Sequence, residues 1–131
     1  MVNLKPFLIG ASLLAAIAGC AAAAAQDARS PYVQVAEIEI DPAQLDAYKA
    51  AVAEHAETAV RIEPGVEALY VVSDRDNPAH ITVFEIYASA EAYKAHLEAP
   101  HFKKYKEVTE KMVRSLTLIK TVPIALAAKP N

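Results

Sequence analysis

The order of strand-like and helix-like segments constrains the fold of this chain more than any other feature. Residues 32–40 are rich in β-branched side chains, which favour a strand. Two segments with the helical spacing of apolar residues and three further short apolar runs follow before residue 123. The chain therefore predicts six elements in the order strand, helix, strand, strand, helix, strand.

The first helix has a clear start, apolar stripe and end. Asp41 can cap it, Pro42 suits a first helical position, and Gln44 stands where a capping box places a glutamine. The Glu-Pro-Gly sequence at 63–65 ends it. Between these signals, apolar or aromatic side chains recur every three or four residues at Leu45, Tyr48, Val52, His55, Ala59 and Ile62. We expect this stripe to pack against the sheet.

The second half of the domain begins with a hairpin and ends with a strand. The predicted strands after the first are Val66–Ser73, His80–Tyr87 and Leu116–Val122. Residues 74–78 are turn-forming and join two of them. Ser89 can cap a second helix that runs to about Leu97, and Pro100 restarts this helix because proline is tolerated in a first turn but not in an interior.

This βαββαβ order is that of a ferredoxin-like α+β domain, which we assign to residues 31–123. Such a domain covers one face of its sheet with helices. Alternation places Phe84 and Ile86 on one face of the third strand and Val83, Glu85 and Tyr87 on the other. Neither face is polar enough to meet water along its whole length. We therefore predict a homodimer in which a second sheet covers the open face.

The N-terminus is predicted to be an export signal and not part of the fold. Lys5 precedes an apolar run at 7–19 that is shorter than the about 20 residues a spanning helix needs. The run ends in Ile-Ala-Gly-Cys, which resembles the bacterial lipobox, in which the cysteine receives lipid and becomes the new N-terminus. We predict a lipoprotein-type signal at 1–19 and lipidation of Cys20, the only cysteine of the chain.

An alternative cleavage site lies just beyond the lipobox. The alanines at 21–25 suit an ordinary signal peptidase, which would release an unlipidated protein. In both cases the domain is exported, either to the periplasmic face of a bacterial membrane or as a soluble periplasmic or secreted protein. Residues 20–30 are predicted to be a tether and residues 124–131 a C-terminal tail.

Charge and composition argue against several partners and cofactors. The chain carries 13 basic and 16 acidic residues, a net charge of −3, which gives no support for nucleic-acid binding. It lacks a glycine-rich phosphate loop and has only three glycines, so we predict no nucleotide or flavin. His96 and His101 are separated by Pro100, a poor helical spacing for metal ligands, and we predict no metal.

Residues 32–122 resemble the antibiotic biosynthesis monooxygenase domain, which also occurs in quinol monooxygenases and autoinducer-degrading proteins. Blocks in the family's order carry the resemblance: Val35-Ala36-Glu37, Asp41-Pro42, Glu63-Pro64-Gly65, Glu85-Ile86-Tyr87, Ala92-Tyr93-Lys94-Ala95-His96-Leu97 and Pro100-His101-Phe102. The last two blocks are the most specific. The resemblance implies a dimeric α+β barrel with a pocket between sheet and helices in each subunit. It also implies oxygenation of a small aromatic, phenolic or quinol-like compound without flavin, haem or metal.

Such a reaction needs a base, a donor for the developing oxyanion and a dry apolar pocket. Histidine suits the base because its unperturbed pKa is about 6.5. His96, at the family's motif position, is the first candidate, and His101 is the second. Both could instead serve packing. His55, on the helical stripe, is predicted to line the pocket, and His80 is predicted to be solvated.

Three side chains of the strands complete the predicted substrate-binding set with His55. Glu85 lies in an otherwise apolar strand, where a buried carboxylate is costly unless it is paired. It either faces the pocket with a raised pKa or forms a structural pair. Tyr70 and Tyr87 could donate hydrogen bonds to a ligand oxygen, or they could be aromatic core residues with one polar end.

Two other functions stay open on the sequence alone. The same pocket could hold a small apolar ligand without catalysis. An isomerase or signal-degrading activity, like that of the autoinducer-degrading branch, would act on a small phosphorylated sugar derivative. The few basic residues at strand ends give this last activity little support.

Overall fold

The computed structural model describes residues 30–130. The predicted signal at 1–19, the lipidation of Cys20 and nearly all of the predicted tether lie outside the described residues. Within that range, none of the helices is both long and apolar enough to span a bilayer. The predicted tail begins after β4, and its described residues form neither helix nor strand.

Within residues 30–130, four strands and three α-helices follow one another in the predicted order. The strands are β1 (Tyr32–Ile40), β2 (Val66–Ser73), β3 (His80–Tyr87) and β4 (Val113–Thr121). The helices are α1 (Leu45–Ile62), which follows a 3-10 turn at Pro42–Gln44, α2 (Ala90–Glu98) and α3 (Pro100–Thr109). The sheet order is β2-β3-β1-β4 with antiparallel neighbours. This is the ferredoxin-like α+β fold predicted from the sequence.

The start of α1 is capped differently from the prediction. Asp41 caps the 3-10 turn that precedes α1, because its Oδ1 accepts the backbone N–H of Ala43 at 3.1 Å. The N-cap of α1 itself is Gln44, which makes no side-chain capping hydrogen bond. The capping box does not form. The side-chain amide of Gln44 instead donates to the carbonyl oxygen of Lys111 at 3.3 Å. Gln44 thereby joins the start of α1 to the turn that precedes β4.

The predicted start of the last strand and the predicted end of the apolar stripe on the first helix were also wrong, whereas that helix ends before Glu63 as predicted. β4 begins three residues earlier than predicted, at Val113, because its pairing with β1 extends to Ile40 through a bulge. Ile62, the last residue of the predicted stripe, is 56 % exposed. The buried face of α1 consists of Tyr48, Val52, His55, Ala56 and Ala59.

Two apolar clusters hold the helices against the sheet. The larger contains Ala36, Ile38, Ile40, Tyr48, Val52, Ile81 and Val83. The smaller contains Ala59, Val66 and Tyr87, at the end of the sheet where α2 packs. Tyr48 and Ala59 are fully buried, so both halves of α1 are fixed on the sheet.

The opposite face of the sheet carries an apolar row that the described chain leaves uncovered. The strand registers align Tyr70, Phe84, Val35 and Ile119 across β2, β3, β1 and β4. Tyr70 is 60 % exposed and Ile119 is 41 % exposed. An apolar row of this kind is the feature from which the homodimer was predicted, and it supports that proposal.

The turn at Gly65 packs against α2 without space for a side chain. A Cβ atom at Gly65 would lie 2.5 Å from the Cβ of Ala92. The carbonyl of Gly65 also accepts the backbone N–H of Ala88 at 2.9 Å. This close approach sets the distance between the end of α1 and the helix that carries His96.

Replacing Gly65 with alanine should therefore destabilise the fold by about 1–3 kcal/mol, the usual cost of overpacking. The added methyl group meets Ala92, whose backbone belongs to α2 and cannot move alone. Urea denaturation measures the change. The double variant Gly65→Ala/Ala92→Gly removes the clash and should recover part of the loss. Equal stability of Gly65→Ala and the unchanged protein would contradict this account.

Candidate active site

A cavity of about 130 Å³ lies between the sheet and the helices. Its size is close to that of an apolar cavity of about 150 Å³ that accepts benzene. Most of its wall is apolar, with Ala36, Val71 and Val83 on the sheet side. It opens along β4, where the lining residues Leu116 and Leu118 are 42 % and 48 % exposed. The cavity is therefore of a size for one aromatic ring.

His96 lies in the helical wall of this cavity and is 2 % exposed. Its Nδ1 lies 2.7 Å from Oε2 of Glu63, the residue that follows α1. A carboxylate only accepts, so Nδ1 carries the proton and donates it. In the neutral ring this leaves Nε2 as an acceptor, and the Glu63 contact thereby selects the tautomer.

The second nitrogen of His96 is open to the cavity. Nε2 has no hydrogen-bond partner within the described residues. Those residues contain no side-chain nitrogen or oxygen atom that is both unpartnered and inaccessible to solvent. Since His96 is otherwise buried in the cavity wall, Nε2 is reached from the cavity.

His101 contacts the same carboxylate from α3 but does not line the cavity. Its Nε2 lies 2.8 Å from Oε2 of Glu63, and its Nδ1 lies 3.1 Å from Nδ1 of His55. It borders a smaller groove of about 60 Å³ between α1 and α3. The sequence predicted a catalytic role for His101, which does not reach the cavity and contacts Glu63, the hydrogen-bond partner of His96.

The sequence argument against a metal rested on a wrong premise, namely that His96 and His101 share one helix. Ala99 is extended between α2 and α3, so His96 and His101 lie on separate helices and their helical spacing is irrelevant. Ligand atoms of Glu63, His96 and His101 lie within 4.8 Å of one another, and these residues could hold a metal ion. In the structure they form hydrogen bonds to one another. Chelation of the purified protein tests the metal directly.

His55 stands behind this pair as a neutral ring. It is 8 % exposed and stacks on Tyr105, with ring centroids 4.6 Å apart. Burial, together with the neighbouring His96 and His101, lowers the pKa of His55 to about 3. Since His55 also lines the cavity, its predicted place in the pocket wall agrees with its position.

Burial also lowers the pKa of His96 below its ordinary value, and the hydrogen bond and charge of Glu63 oppose that effect. His96 is therefore neutral at pH 7. A neutral ring with an open Nε2 can take a proton from a ligand in the cavity. The adjacent carboxylate then stabilises the imidazolium that forms.

Glu85 faces the cavity and is also paired within the subunit. Its Oε2 accepts hydrogen bonds from the hydroxyl of Tyr87 at 2.9 Å and from Nε2 of Gln34 at 3.3 Å. The hydroxyl of Tyr32 donates to Oε1 of Gln34 at 3.2 Å. Burial raises the pKa of the Glu85 carboxyl, and the two donors oppose the shift. The sequence left open whether Glu85 faces the pocket with a raised pKa or forms a structural pair, and its position combines the two.

Tyr70 does not join the other predicted residues. Its neighbours Leu69 and Val71 line the cavity, while Tyr70 belongs to the apolar row on the opposite face. Its predicted contact with a ligand in this cavity is therefore not supported by its position. His80, predicted to be solvated, pairs with Glu39, and this hydrogen bond raises the pKa of His80.

Several residues of the site were missed in the sequence. Glu63 was assigned to the end of a helix and to a block of the family resemblance but not to the site, and Gln34 and Tyr105 were given no role. A carboxylate just before a Pro-Gly turn, in a chain with two motif histidines, was the one available signal for Glu63. Gln34 could have been noticed as the polar member of the helix-facing set in β1, beside Ala36 and Ile38.

The fold and the cavity define a class of protein, a ferredoxin-like α+β domain with a one-ring cavity between sheet and helices. The chain belongs to the antibiotic biosynthesis monooxygenase family, whose model matches residues 31–108. No sequence among the curated proteins is a significant match.

Solved structures agree with this family. The chain is 44 % identical to a structure from Bacteroides thetaiotaomicron assigned to the antibiotic biosynthesis monooxygenases, with a TM-score of 0.74 over 79 % of this chain and 99 % of that one. A structure from Lactobacillus acidophilus that is assigned as a monooxygenase is 31 % identical to this chain. Its TM-score is 0.67, over 69 % of this chain and 43 % of that one. A structure from Chloroflexus aurantiacus, assigned to the same family as the first, is 26 % identical to this chain. Its TM-score is 0.67, over 76 % of this chain and 98 % of that one.

Proposed function

We propose that this protein is a cofactor-independent monooxygenase for a small phenolic or quinol-like compound, with His96 as the general base. One observation carries the proposal. The Nε2 of a buried, neutral histidine is open to a one-ring apolar cavity while a carboxylate holds its Nδ1. Family membership supports the oxygenase class, and the substrate and the base are our inference.

The chemistry follows from what the cavity contains. His96 takes the hydroxyl proton of the substrate, and the electron-rich anion transfers electrons to dioxygen. A carbon–oxygen bond forms, and return of the proton from His96 gives a hydroperoxide. The hydroperoxide loses water as its O–O bond breaks and the ring C–H proton leaves. A hydroquinone and dioxygen thus give a hydroxylated quinone and water, and the substrate supplies all the electrons.

Export and dimerisation belong to the same proposal. Outside the cytoplasm the protein has no supply of reduced nicotinamide or flavin, which favours a reaction that needs neither. Mass spectrometry of the protein from a native membrane fraction tests lipidation of Cys20, and an unmodified, soluble mature protein would exclude it. The apolar row on the open face of the sheet supports a homodimer, and a monomer in sedimentation at micromolar concentration would exclude that.

An oxygen electrode with a panel of hydroquinones tests the proposed activity. We expect consumption of dioxygen that requires the protein and persists after treatment with EDTA. The variant Tyr70→Phe, altered on the far face of the sheet, should behave as the unchanged protein. No consumption across the panel, or complete loss of it on chelation, would contradict the proposal.

A non-catalytic ligand-binding protein is the second candidate, favoured by the mostly apolar cavity wall. Thermal stabilisation by hydroquinones without oxygen consumption would support it over the oxygenase. A signal-degrading activity on phosphorylated sugars is disfavoured, because the described residues that line the cavity include one lysine, Lys106, and no arginine.

A further inference from the structure

We propose that Glu85 is a second anchor of the cavity and selects rings that carry a hydrogen-bond donor at each end. One donor is for Nε2 of His96 and the other is for Oε1 of Glu85. The assignment rests on the proposed function, in that it takes the reacting hydroxyl as the donor to His96. It adds a residue that determines specificity and a requirement on the far end of the substrate.

The orientation of the Glu85 carboxylate is the first step. Tyr87 and Gln34 both donate to Oε2, at 2.9 and 3.3 Å. Oε1 has no partner within the described residues. Among those residues, every side-chain oxygen that lacks a hydrogen-bond partner is accessible to solvent, and this includes Oε1. Because Glu85 lines the cavity, Oε1 is an acceptor that a ligand can reach.

The remaining polar groups of the sheet wall are already engaged. Of the sheet residues that line the cavity, only Gln34, Glu85 and Tyr87 have polar side chains. The hydroxyl of Tyr87 and the amide of Gln34 donate to Glu85, and the amide oxygen of Gln34 accepts from Tyr32. Among the polar side-chain atoms of these three residues, Oε1 of Glu85 is thus the one without a hydrogen-bond partner among the described residues.

Tyr87 connects the two anchors. Its ring centroid lies 5.3 Å from that of His96, and its hydroxyl contacts Glu85. A ligand ring that lies along Tyr87 places one substituent near His96 and the other near Glu85. If the second substituent cannot donate, Oε1 loses water on binding and gains no partner. Burying a carboxylate oxygen without a hydrogen-bond donor is penalised even though Oε2 keeps its two donors, so the site should reject such a ligand.

Hydroquinone and 4-methoxyphenol separate these cases, because the second compound replaces one donor with an acceptor. Titration calorimetry under nitrogen measures binding without turnover. We expect hydroquinone to bind the unchanged protein about 10–100-fold more tightly. Glu85→Gln should reverse or abolish this preference, because Oε1 is replaced by an amide that donates. Glu67→Gln, a change of an exposed carboxylate in β2, should leave the ratio as it is.

Equal affinities in the unchanged protein, or no binding of either compound, would overturn the assignment without any variant. A folded Glu85→Gln protein that keeps the original ratio would also overturn it. Preference for hydroquinone without oxygen consumption would support the anchor and contradict the proposed oxygenase. Equal binding and equal oxygen consumption with both compounds would overturn the anchor and support the oxygenase.

Discussion

Replacing His96 with glutamine should lower the rate of oxygen consumption with hydroquinone by a factor of about 10²–10⁴, the contribution usual for a general base. Glutamine can still donate to Glu63 through its amide, so the contact that anchors the side chain is retained. It has no nitrogen that can take a proton from the substrate. The oxygen electrode, with protein folding checked by circular dichroism, measures the loss.

The pH dependence separates a base from a packing residue. Burial lowers the pKa of His96, so the unchanged protein should stay active below pH 6.5, where an exposed histidine would be protonated. The deficit of His96→Gln should narrow as the pH approaches that at which the substrate ionises unaided. His80→Gln, on a histidine paired with Glu39, serves as the matched control. Full activity of His96→Gln at neutral pH would remove His96 from the role of base.

Replacing His55 with phenylalanine should flatten the dependence of stability on pH under acidic conditions. The folded-state pKa of His55 is about 3, against about 6.5 in an unfolded chain. Between these values the unfolded state binds the additional proton, so stability falls as the pH is lowered. The slope from this group approaches about 1.4 kcal/mol per pH unit. Phenylalanine retains a ring for stacking on Tyr105 and does not titrate.

Urea denaturation at several pH values between 3.5 and 6 measures this slope. Some slope should remain in His55→Phe, because burial lowers the pKa of His96 as well. His80 contributes to the pH dependence of stability with the opposite sign, and His80→Gln removes that contribution. The pKa of His80 is raised by Glu39, so its stabilisation is complete below 6.5 and is lost as the pH rises through the raised value. His80→Gln should keep the slope of stability against pH that the unchanged protein shows between pH 3.5 and 6. If His55→Phe also kept that full slope, His55 would not be the titrating group.

Local patterns in the sequence were sufficient for the order of elements and for most of the cavity wall. Strand alternation placed Glu85 and Tyr87 on one face, and the helical stripe included His55. Alternation does not say which face of a strand meets the helices, however. Tyr70 was therefore placed in the site, although β2 turns it outward beyond an irregularity in its register between Val66 and Ala68.

Contacts between distant segments were beyond the sequence patterns. Glu63 and His96 are 33 residues apart and meet because the Gly65 turn packs against α2. The argument against a metal treated His96 and His101 as members of one helix, and it failed because Ala99, which precedes a proline, is extended. Propensity and periodicity report local structure, whereas a site of this kind depends on which ends of the helices come together.

Mass spectrometry of the product formed under ¹⁸O₂ tests the central claim most directly. The purified protein is treated with EDTA, supplied with hydroquinone and exposed to the labelled gas. The proposed reaction predicts a hydroxylated quinone with one ¹⁸O atom, while the second labelled atom leaves in water. A product without label, or no product after chelation, would contradict an oxygenation carried out by the residues of this cavity alone.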